Sequence, residues 1–395
     1  MALRFLTAGE SHGPGLTAIL DGMPSGVPLD RDAVDAELRR RQGGYGRGGR
    51  MKIEKDRAQF TGGVRHGVTL GSPIAIHIPN LDFQNWTDVM APFGAPPQPA
   101  KRPIHTPRPG HADLAGGTKY RFDDLRNVLE RASARETAAR VAVGALARAL
   151  LGQFGVRIVS HTRSIGETRV ELEIPQDVAL DEIEARAASN DLAVLDASLY
   201  AGMVAAIEAA RADGDTLGGV VEVLALGLPA GLGTYVHWDR KLDGRLAQAV
   251  CSIPAVKGVE IGAAFANATR RGSAVHDAVR RDAGGRVRRA TNGAGGLEGG
   301  ITNGEALVVR AAMKPLSTLM KPLETVDIRS GAPARAAIER SDVCAVPACA
   351  VVAEAMVAFV LADVWLEKFG GDTLDDVRSA WERYTQEVAR WGPSS

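Results

Sequence analysis

The sequence predicts a mixed α and β fold with antiparallel strands, not a regular alternation of strand, helix and parallel strand. Residues 51–80, MKIEKDRAQFTGGVRHGVTLGSPIAIHIPN, alternate apolar and polar side chains between glycine breaks, the pattern of an antiparallel meander. Residues 123–151, DDLRNVLERASARETAARVAVGALARALL, are the strongest helix. In their alanine-rich second half only Arg140 and Arg148 carry charge, as expected of a central helix packed closely among neighbours. Helices and strands elsewhere follow one another with no fixed period, which argues against both βαβ units and repeats.

In chain order, LRFLTA opens as a strand and runs into GESHG at residues 9–13. RDAVDAELRRR, residues 31–41, is a short helix with Val34 and Leu38 on its apolar side and an aspartate-rich start that suits the helix dipole. It ends in the basic, flexible loop QGGYGRGGR. After the meander, residues 91–110, APFGAPPQPAKRPIHTPRPG, hold too much proline for regular structure and form a long connection, a place where function often resides. VRIVSHTRSI and TRVELEI read as strands, and residues 179–212 as two helical stretches. GGVVEVLALGLPAGLG reads as a strand and turn, RKLDGRLAQAVCSI as a helix and KGVEIGAAFANAT as a strand. The glycine-rich loop TNGAGGLEGGITNG precedes the strand EALVVRAAMKP. An apolar helix around CAVVAEAMVAFVLADVWLEKF and a charged final helix close the chain.

A chain of 395 residues can bury a substantial core. Its 47 basic and 47 acidic residues balance, so no global field selects nucleic acid or an anionic membrane, and any anion site is local. The start MALRFLTAGESHG lacks the basic and apolar regions of a secretory signal. No apolar run is expected to reach the ~20 residues that span a bilayer, so a soluble, cytoplasmic protein is expected. Cys251, Cys344 and Cys349 lack CxxC pairing and are expected to be small buried thiols. The 45 glycines imply many tight turns or close backbone approaches, as around a ligand.

Histidine exchanges protons near neutral pH, which makes His12 in GESHGPG and His111 in RPGHADLAGGTKY candidate general acids. Taken singly, each reads more readily as a loop histidine bonded to backbone. His66, His77, His105, His161, His237 and His276 show no metal-ligand spacing and are assigned no chemistry. Arginines recur beside the glycine loops: Arg41 and Arg47 around QGGYG, Arg108 before His111, Arg131 and Arg135 in ERASARE, and Arg340 in ERSDVC. Guanidinium groups bind phosphate and carboxylate bidentately, so a convergent set would suit a small polyanion, while a scattered set is only solvated surface. Ser133, between Arg131 and Arg135, is a candidate phosphate donor.

NGAGGLEGG has glycines at 293, 295 and 299 that miss the GxGxxG spacing, and no GxxxxGK[ST] occurs, so neither a dinucleotide fold nor a P-loop is supported. A backbone able to approach a flat ligand remains. KPLST, residues 314–318, reads equally as a phosphate contact or a strand end with a turn. In RSDVC, Arg340 and Asp342 share one side of an extended segment. A carboxylate beside a guanidinium stays ionised and can act as a base, or be merely structural.

Together these motifs resemble the chorismate synthase family, nearly end to end. GESHGPGLTAILDGMP, ERASARETAARVAVGAL and RSDVCAVPACAVVAEAM match three family signatures. RPGHAD, AVKGVEIG, AGGLEGGITNG and AAMKPLST fall between them in family order. The resemblance implies one domain over residues 1–395, an α+β fold built as a βαβ sandwich with a central helical layer between antiparallel sheets, and a homotetramer. It implies conversion of 5-enolpyruvylshikimate 3-phosphate to chorismate and phosphate, an anti-1,4-elimination that needs reduced FMN without net redox change. NADPH is the electron source in those relatives that reduce their own flavin.

By the same resemblance, His12 would act on the leaving phosphate and His111 on the flavin near N1. Asp342 would work with flavin N5 on the C6 proton, and Ser11 and Ser133 would support by hydrogen bonds. Flavin contacts would come from Arg131, Ala132, Ser133, Pro254, Ala255, Gly299, Lys314, Pro315, Leu316, Ser317, Thr318 and Arg340. Arg41, Arg47, Arg108 and Arg135 would bind substrate or NADP, with Arg40 a rival to Arg41 because LRRRQ offers three successive arginines. Pro254 stands where relatives often carry a polar residue, and proline offers no donor. Glu10 receives no role. A flavin-free enzyme of phosphorylated metabolites would instead be active in air without flavin. A purely structural oligomer would tolerate loss of His12 and Asp342. Neither explains all three signatures.

Overall fold

Two antiparallel sheets enclose a layer of helices in the computed structural model, which describes residues 3–48, 55–95, 97, 99–170, 180–282, 285, 287–339 and 341–388. The first sheet has the strand order Arg4–Ala8, Gly15–Asp21, Ile74–Pro79, Gln59–Gly62. The second has the order Val256–Ile261, Leu307–Met313, Gly219–Leu226, Arg157–Ile165, Thr168–Arg169. Every pairing in both is antiparallel. The helix Thr137–Gly152 lies on the first sheet and Val346–Phe369 on the second. These two helices pack on each other, and Arg31–Gln42 touches both. The architecture is the expected α+β sandwich of sheet, helices and sheet.

The two-residue period of strands decides which side chains enter the core. Leu16, Ala18, Leu20, Ile74, Ile76 and Ile78 are buried toward the helices. On the outward face Leu6 pairs with Ile19, and the two are 76% and 44% exposed. The helical layer is held at its centre by Glu354, a buried carboxylate midway along an otherwise apolar helix. It accepts from Arg40 Nη2 at 3.0 Å and Ser160 Oγ at 2.7 Å, and pairs with Arg148 at 2.6 Å. One charge thereby fixes the register of three helices against the second sheet.

Where the two long helices cross, a Cβ added at Gly144 would lie 2.3 Å from Ala355 Cβ and 2.5 Å from its Cα. The obstacle is backbone, so it cannot swing aside. Gly144→Val is therefore expected to cost about 2–3 kcal/mol by overpacking. A urea titration should show it as a lower midpoint at unchanged slope.

Several elements differ from expectation for identifiable reasons. The helix expected over residues 123–151 is broken at Ser133, whose backbone is extended at ψ 143°. It divides into Arg126–Ala132, a 3₁₀ turn Ala134–Glu136 and Thr137–Gly152. The Ser133 hydroxyl accepts from Arg135 N, capping the new start. Val346–Phe369, at 24 residues, is long and apolar enough to cross a bilayer, contrary to the sequence reading. Its most apolar window is 89% buried, which makes it the inner helix of the layer. Cys344 and Cys349 are buried as expected, whereas Cys251 is exposed at the end of its helix. The strand expected over KGVEIGAAFANAT stops at Ile261, and Ala264–Asn267 is helical. The loop TNGAGGLEGGITNG holds a small hairpin, Leu297–Glu298 with Ile301–Thr302. Most of TRVELEI, from residue 171, lies outside the described residues.

Candidate active site

A cavity of about 390 Å³ forms where the GESHG loop, the proline-rich connection, the break at Ser133 and the start of the long apolar helix meet. The GESHG loop joins the first two strands. It needs glycine at residue 9, where φ is +109° and a Cβ would sit 2.4 Å from Gly15 O. Asn80 Nδ2 donates to Ser11 O at 3.2 Å and Gly13 O at 2.8 Å, and Ser11 N donates to Glu130 O at 2.9 Å. His12 is thus delivered to the cavity wall with its ring stacked on Trp86, centroids 3.8 Å apart. Its Nδ1 lies 2.9 and 3.0 Å from the two carboxylate oxygens of Glu130, and its main-chain N donates to the same group at 2.8 Å. Burial alone would raise the Glu130 carboxyl, but the His12 hydrogen bonds and the charges of His12 and Arg126 hold it below its ordinary value.

His111 has a similar partner. Asp113 is completely buried and sits 2.6 Å from His111 Nδ1. It also accepts from Arg108 N at 3.1 Å, Nε at 2.8 Å and Nη2 at 3.0 Å. Burial would push the Asp113 carboxyl up, yet the hydrogen bonds from His111 and Arg108 bring it well below the usual carboxylate range. Arg108 Nη1 reaches on to Thr318 Oγ1 at 2.7 Å, tying the proline-rich connection to the KPLST turn.

The cations are fixed in the same manner. Arg41 donates from Nε to Thr137 Oγ1 and from Nη2 to Ala134 O, both at 2.8 Å. Buried Asp56 lies 3.8 Å from Arg41 Nη1 and 2.5 Å from Arg135 Nη1, so one carboxylate orients two arginines. Arg47 Nη1 is 3.1 Å from Asp342 Oδ2, and Gly48 N donates to Asp342 Oδ1 at 2.6 Å. Lys314 Nζ donates to Ser317 Oγ at 2.8 Å, and burial together with Lys257's charge pushes the ammonium down. Ser133 Oγ donates to Ser11 Oγ at 3.1 Å.

The cavity therefore brings together Ser11, His12, His111, Ser133 and Asp342 with Arg41, Arg47, Arg108 and Arg135. From the expected flavin set it includes Ala132, Pro254, Ala255, Lys314, Leu316, Ser317 and Thr318. Pro254 offers packing, and Ala255 holds a left-handed φ of 69° while its carbonyl accepts from Lys314 N. Arg131 lies elsewhere, its guanidinium donating to Thr7 O, Thr7 Oγ1 and Gly9 O. Pro315 is not on the wall, and Gly299 is exposed beside Tyr235 on the small hairpin. Arg340 lies outside the described residues. Arg40 turns to Glu37 and Glu354, leaving Arg41 as the member of the run that faces the cavity. Sequence reasoning missed Glu130, Asp113 and Asp56. Only Asp113 had a local signal, two residues beyond His111 in RPGHAD.

Acid–base groups backed by carboxylates, with guanidinium groups converging on one apolar-walled space, define an enzyme of small polyanionic metabolites. A family profile described as chorismate synthase matches residues 3–366. Chorismate synthase of Moorella thermoacetica is 57% identical over 98% of this chain and 100% of its own length. That of Symbiobacterium thermophilum is 56% identical at the same coverages. A crystal structure of chorismate synthase superposes with a TM-score of 0.80 at 43% identity, covering 99% of each chain. The chain belongs to the chorismate synthase family, whose members are carbon–oxygen lyases acting on a phosphate ester.

Proposed function

We propose that this cavity converts 5-enolpyruvylshikimate 3-phosphate to chorismate and phosphate by anti-1,4-elimination with reduced FMN, the last step of the shikimate route to aromatic amino acids. The observation that carries the reading is two carboxylate-bonded histidines sharing one cavity with Arg41, Arg47, Arg108 and Arg135. A substrate with a phosphate and two carboxylates calls for such cations.

The residues present also fit the cofactor. Ile253, Pro254, Ala255, Met313 and Leu316 give an apolar wall suited to a flat ring system, and Lys314, Ser317 and Thr318 give donors suited to a phosphate tail. With Ala132 and Ser133 these residues would hold FMN. When bound, reduced FMN supplies transient electron density that eases departure of the allylic phosphate.

His12 serves as the acid at that phosphate. Its Nδ1 is taken up by Glu130, so Nε2 is the nitrogen that exchanges a proton with a phosphate oxygen. Ser11 and Ser133, bonded to each other, extend the donor set at the same wall. The arginines stabilise charge gathering on the departing group, and the apolar wall excludes water that would weaken them. His111, tied through Nδ1 to Asp113, would turn its other ring nitrogen to the reduced flavin and hold a proton there. Asp342 is held ionised in place by Arg47 and the Gly48 amide, and would help to hold the reduced flavin beside the substrate.

The reading extends to one domain over residues 1–395, a cytoplasmic location and a homotetramer. Burial of Val346–Phe369 fits a core helix of a water-soluble chain, and the exposed Leu6 and Ile19 pair offers an apolar face for self-association. Anaerobic turnover tests the whole. Chorismate formed with chemically reduced FMN is the expected result, and none formed would overturn the reading. A second arm with NADPH and oxidised FMN reads the electron source, since product there marks an enzyme that reduces its own flavin.

A further inference from the structure

We infer that Glu130 is the positioning residue of His12, fixing the tautomer and orientation of its imidazole and thereby which ring nitrogen meets the reaction. The Glu130 side chain is 1% exposed, and its carboxylate pairs with His12 of the GESHG loop and with Arg126. Both of its carboxylate oxygens face His12 Nδ1, one also accepts from His12 N, and its carbonyl accepts from Ser11 N. One residue thus holds the ring and the backbone that carries it.

The remaining surroundings leave the ring little freedom. Trp86 covers one face and is itself anchored by its indole N–H to Asp82 at 3.2 Å. Arg102 and Arg126 lie over that indole at 4.2 and 5.2 Å. Arg126 Nη1 donates to Glu130 Oε1 at 3.1 Å. A ring flip would replace Nδ1 by carbon against the carboxylate and forfeit the hydrogen bond. A carboxylate only accepts, so Nδ1 keeps its proton in both charge states of His12: the imidazolium gives its Nε2 proton to the phosphate oxygen, and the neutral ring that remains is protonated on Nδ1. Asp113 does not isolate the same effect for His111, because its loss would also release Arg108. Arg126, by contrast, keeps Arg102 O at 2.6 Å and Glu339 at 2.9 Å when Glu130 is changed.

This inference rests on the proposed role of His12, and two measurements separate the two ideas. Solid-state NMR of the full chain carrying ¹⁵N-histidine, with His12 assigned by difference from His12→Ala, is expected to show protonated Nδ1 in neutral His12. Glu130→Gln, whose amide can donate to Nδ1, is expected to show a mixed or Nε2-protonated ring. The same variant should lose roughly 100-fold in kcat with KM changed less than about threefold. In a His12→Ala background it should lose less than about threefold more, since its effect passes through His12. An Nε2-protonated ring in the unaltered protein, or equal losses in both backgrounds, overturns the inference. Should Glu130→Gln fail to fold, the unaltered protein's spectrum decides alone. Should His12→Ala keep its turnover, the acid assignment falls while the spectrum still judges Glu130.

Discussion

His12→Ala is expected to lower turnover roughly 10²- to 10⁴-fold when reduced FMN is supplied under anaerobic conditions, and His111→Ala to fall in the same range. The size follows from the chemistry asked of each group. Phosphate leaving without a proton or a strong donor concentrates charge on its oxygens, and Arg41, Arg47, Arg108 and Arg135 can offset only part of it. Neither substitution removes a guanidinium, so substrate binding should change less than kcat. The two variants should differ in their structural side effects. His12→Ala uncovers a face of Trp86 and should alter tryptophan fluorescence, whereas His111→Ala removes one of the two partners of Asp113 Oδ1 and leaves Arg108 bonded three times to Asp113 and once to Thr318. Near-normal turnover in either variant, at full reduced-flavin supply, would remove that histidine from the mechanism.

The layers were legible because their signals are periodic. Alternation marked the strand Ile74–Pro79, and the uncharged alanine-rich half of residues 123–151 marked the buried helix Thr137–Gly152. The break at Ser133 was not read, because the Glu, Arg and Ala of ERASARE favour helix; the one local signal was Ser133 followed three residues on by Glu136, the spacing of a helix start. Tertiary contacts reinforce the break. On a continuous helix Arg131 and Arg135 would share one face. The break instead sends Arg131 to the edge of the first sheet at Thr7 and Arg135 inward to Asp56. It also sets Ser133 against Ser11.

The same distinction divides the site. His12, His111 and the arginines sit in glycine-rich or charged motifs that stand out from the chain. Glu130 and Asp56 do not, because their partners His12 and Arg135 are 118 and 79 residues away in sequence. Glu354 misled in the opposite sense. It interrupts the apolar run of a helix that the sequence did mark, so bilayer length was not expected, while the fold neutralises it with Arg40 and Arg148 and buries the helix.

Glu222→Gln is expected to destabilise the fold by about 3–5 kcal/mol at neutral pH, the usual cost of breaking a buried ion pair by removing one partner. The strand register explains why this carboxylate matters. It sets His161, Glu222, Arg310 and Glu260 side by side across four neighbouring strands of the second sheet. His161 Nε2 lies 2.9 Å from Glu222 Oε1, Arg310 Nε donates to Oε2 at 2.6 Å, and Arg163 approaches to 3.7 Å. Burial would raise the Glu222 carboxyl, but the His161 hydrogen bond and the charges of His161, Arg310 and Arg163 bring it down from 4.5 to about 2. A folded value below the unfolded one means that the group's contribution is fully present above about pH 4.5 and is lost as pH falls toward 2. That contribution is on the order of 3 kcal/mol. Urea midpoints measured across this window should therefore fall steeply for the unaltered chain and more gently for Glu222→Gln. Parallel pH profiles would place the acid lability elsewhere, with Glu354 the next carboxylate to replace, since it too is buried and held below its ordinary value by Arg148 and Arg40 against the opposing effect of burial.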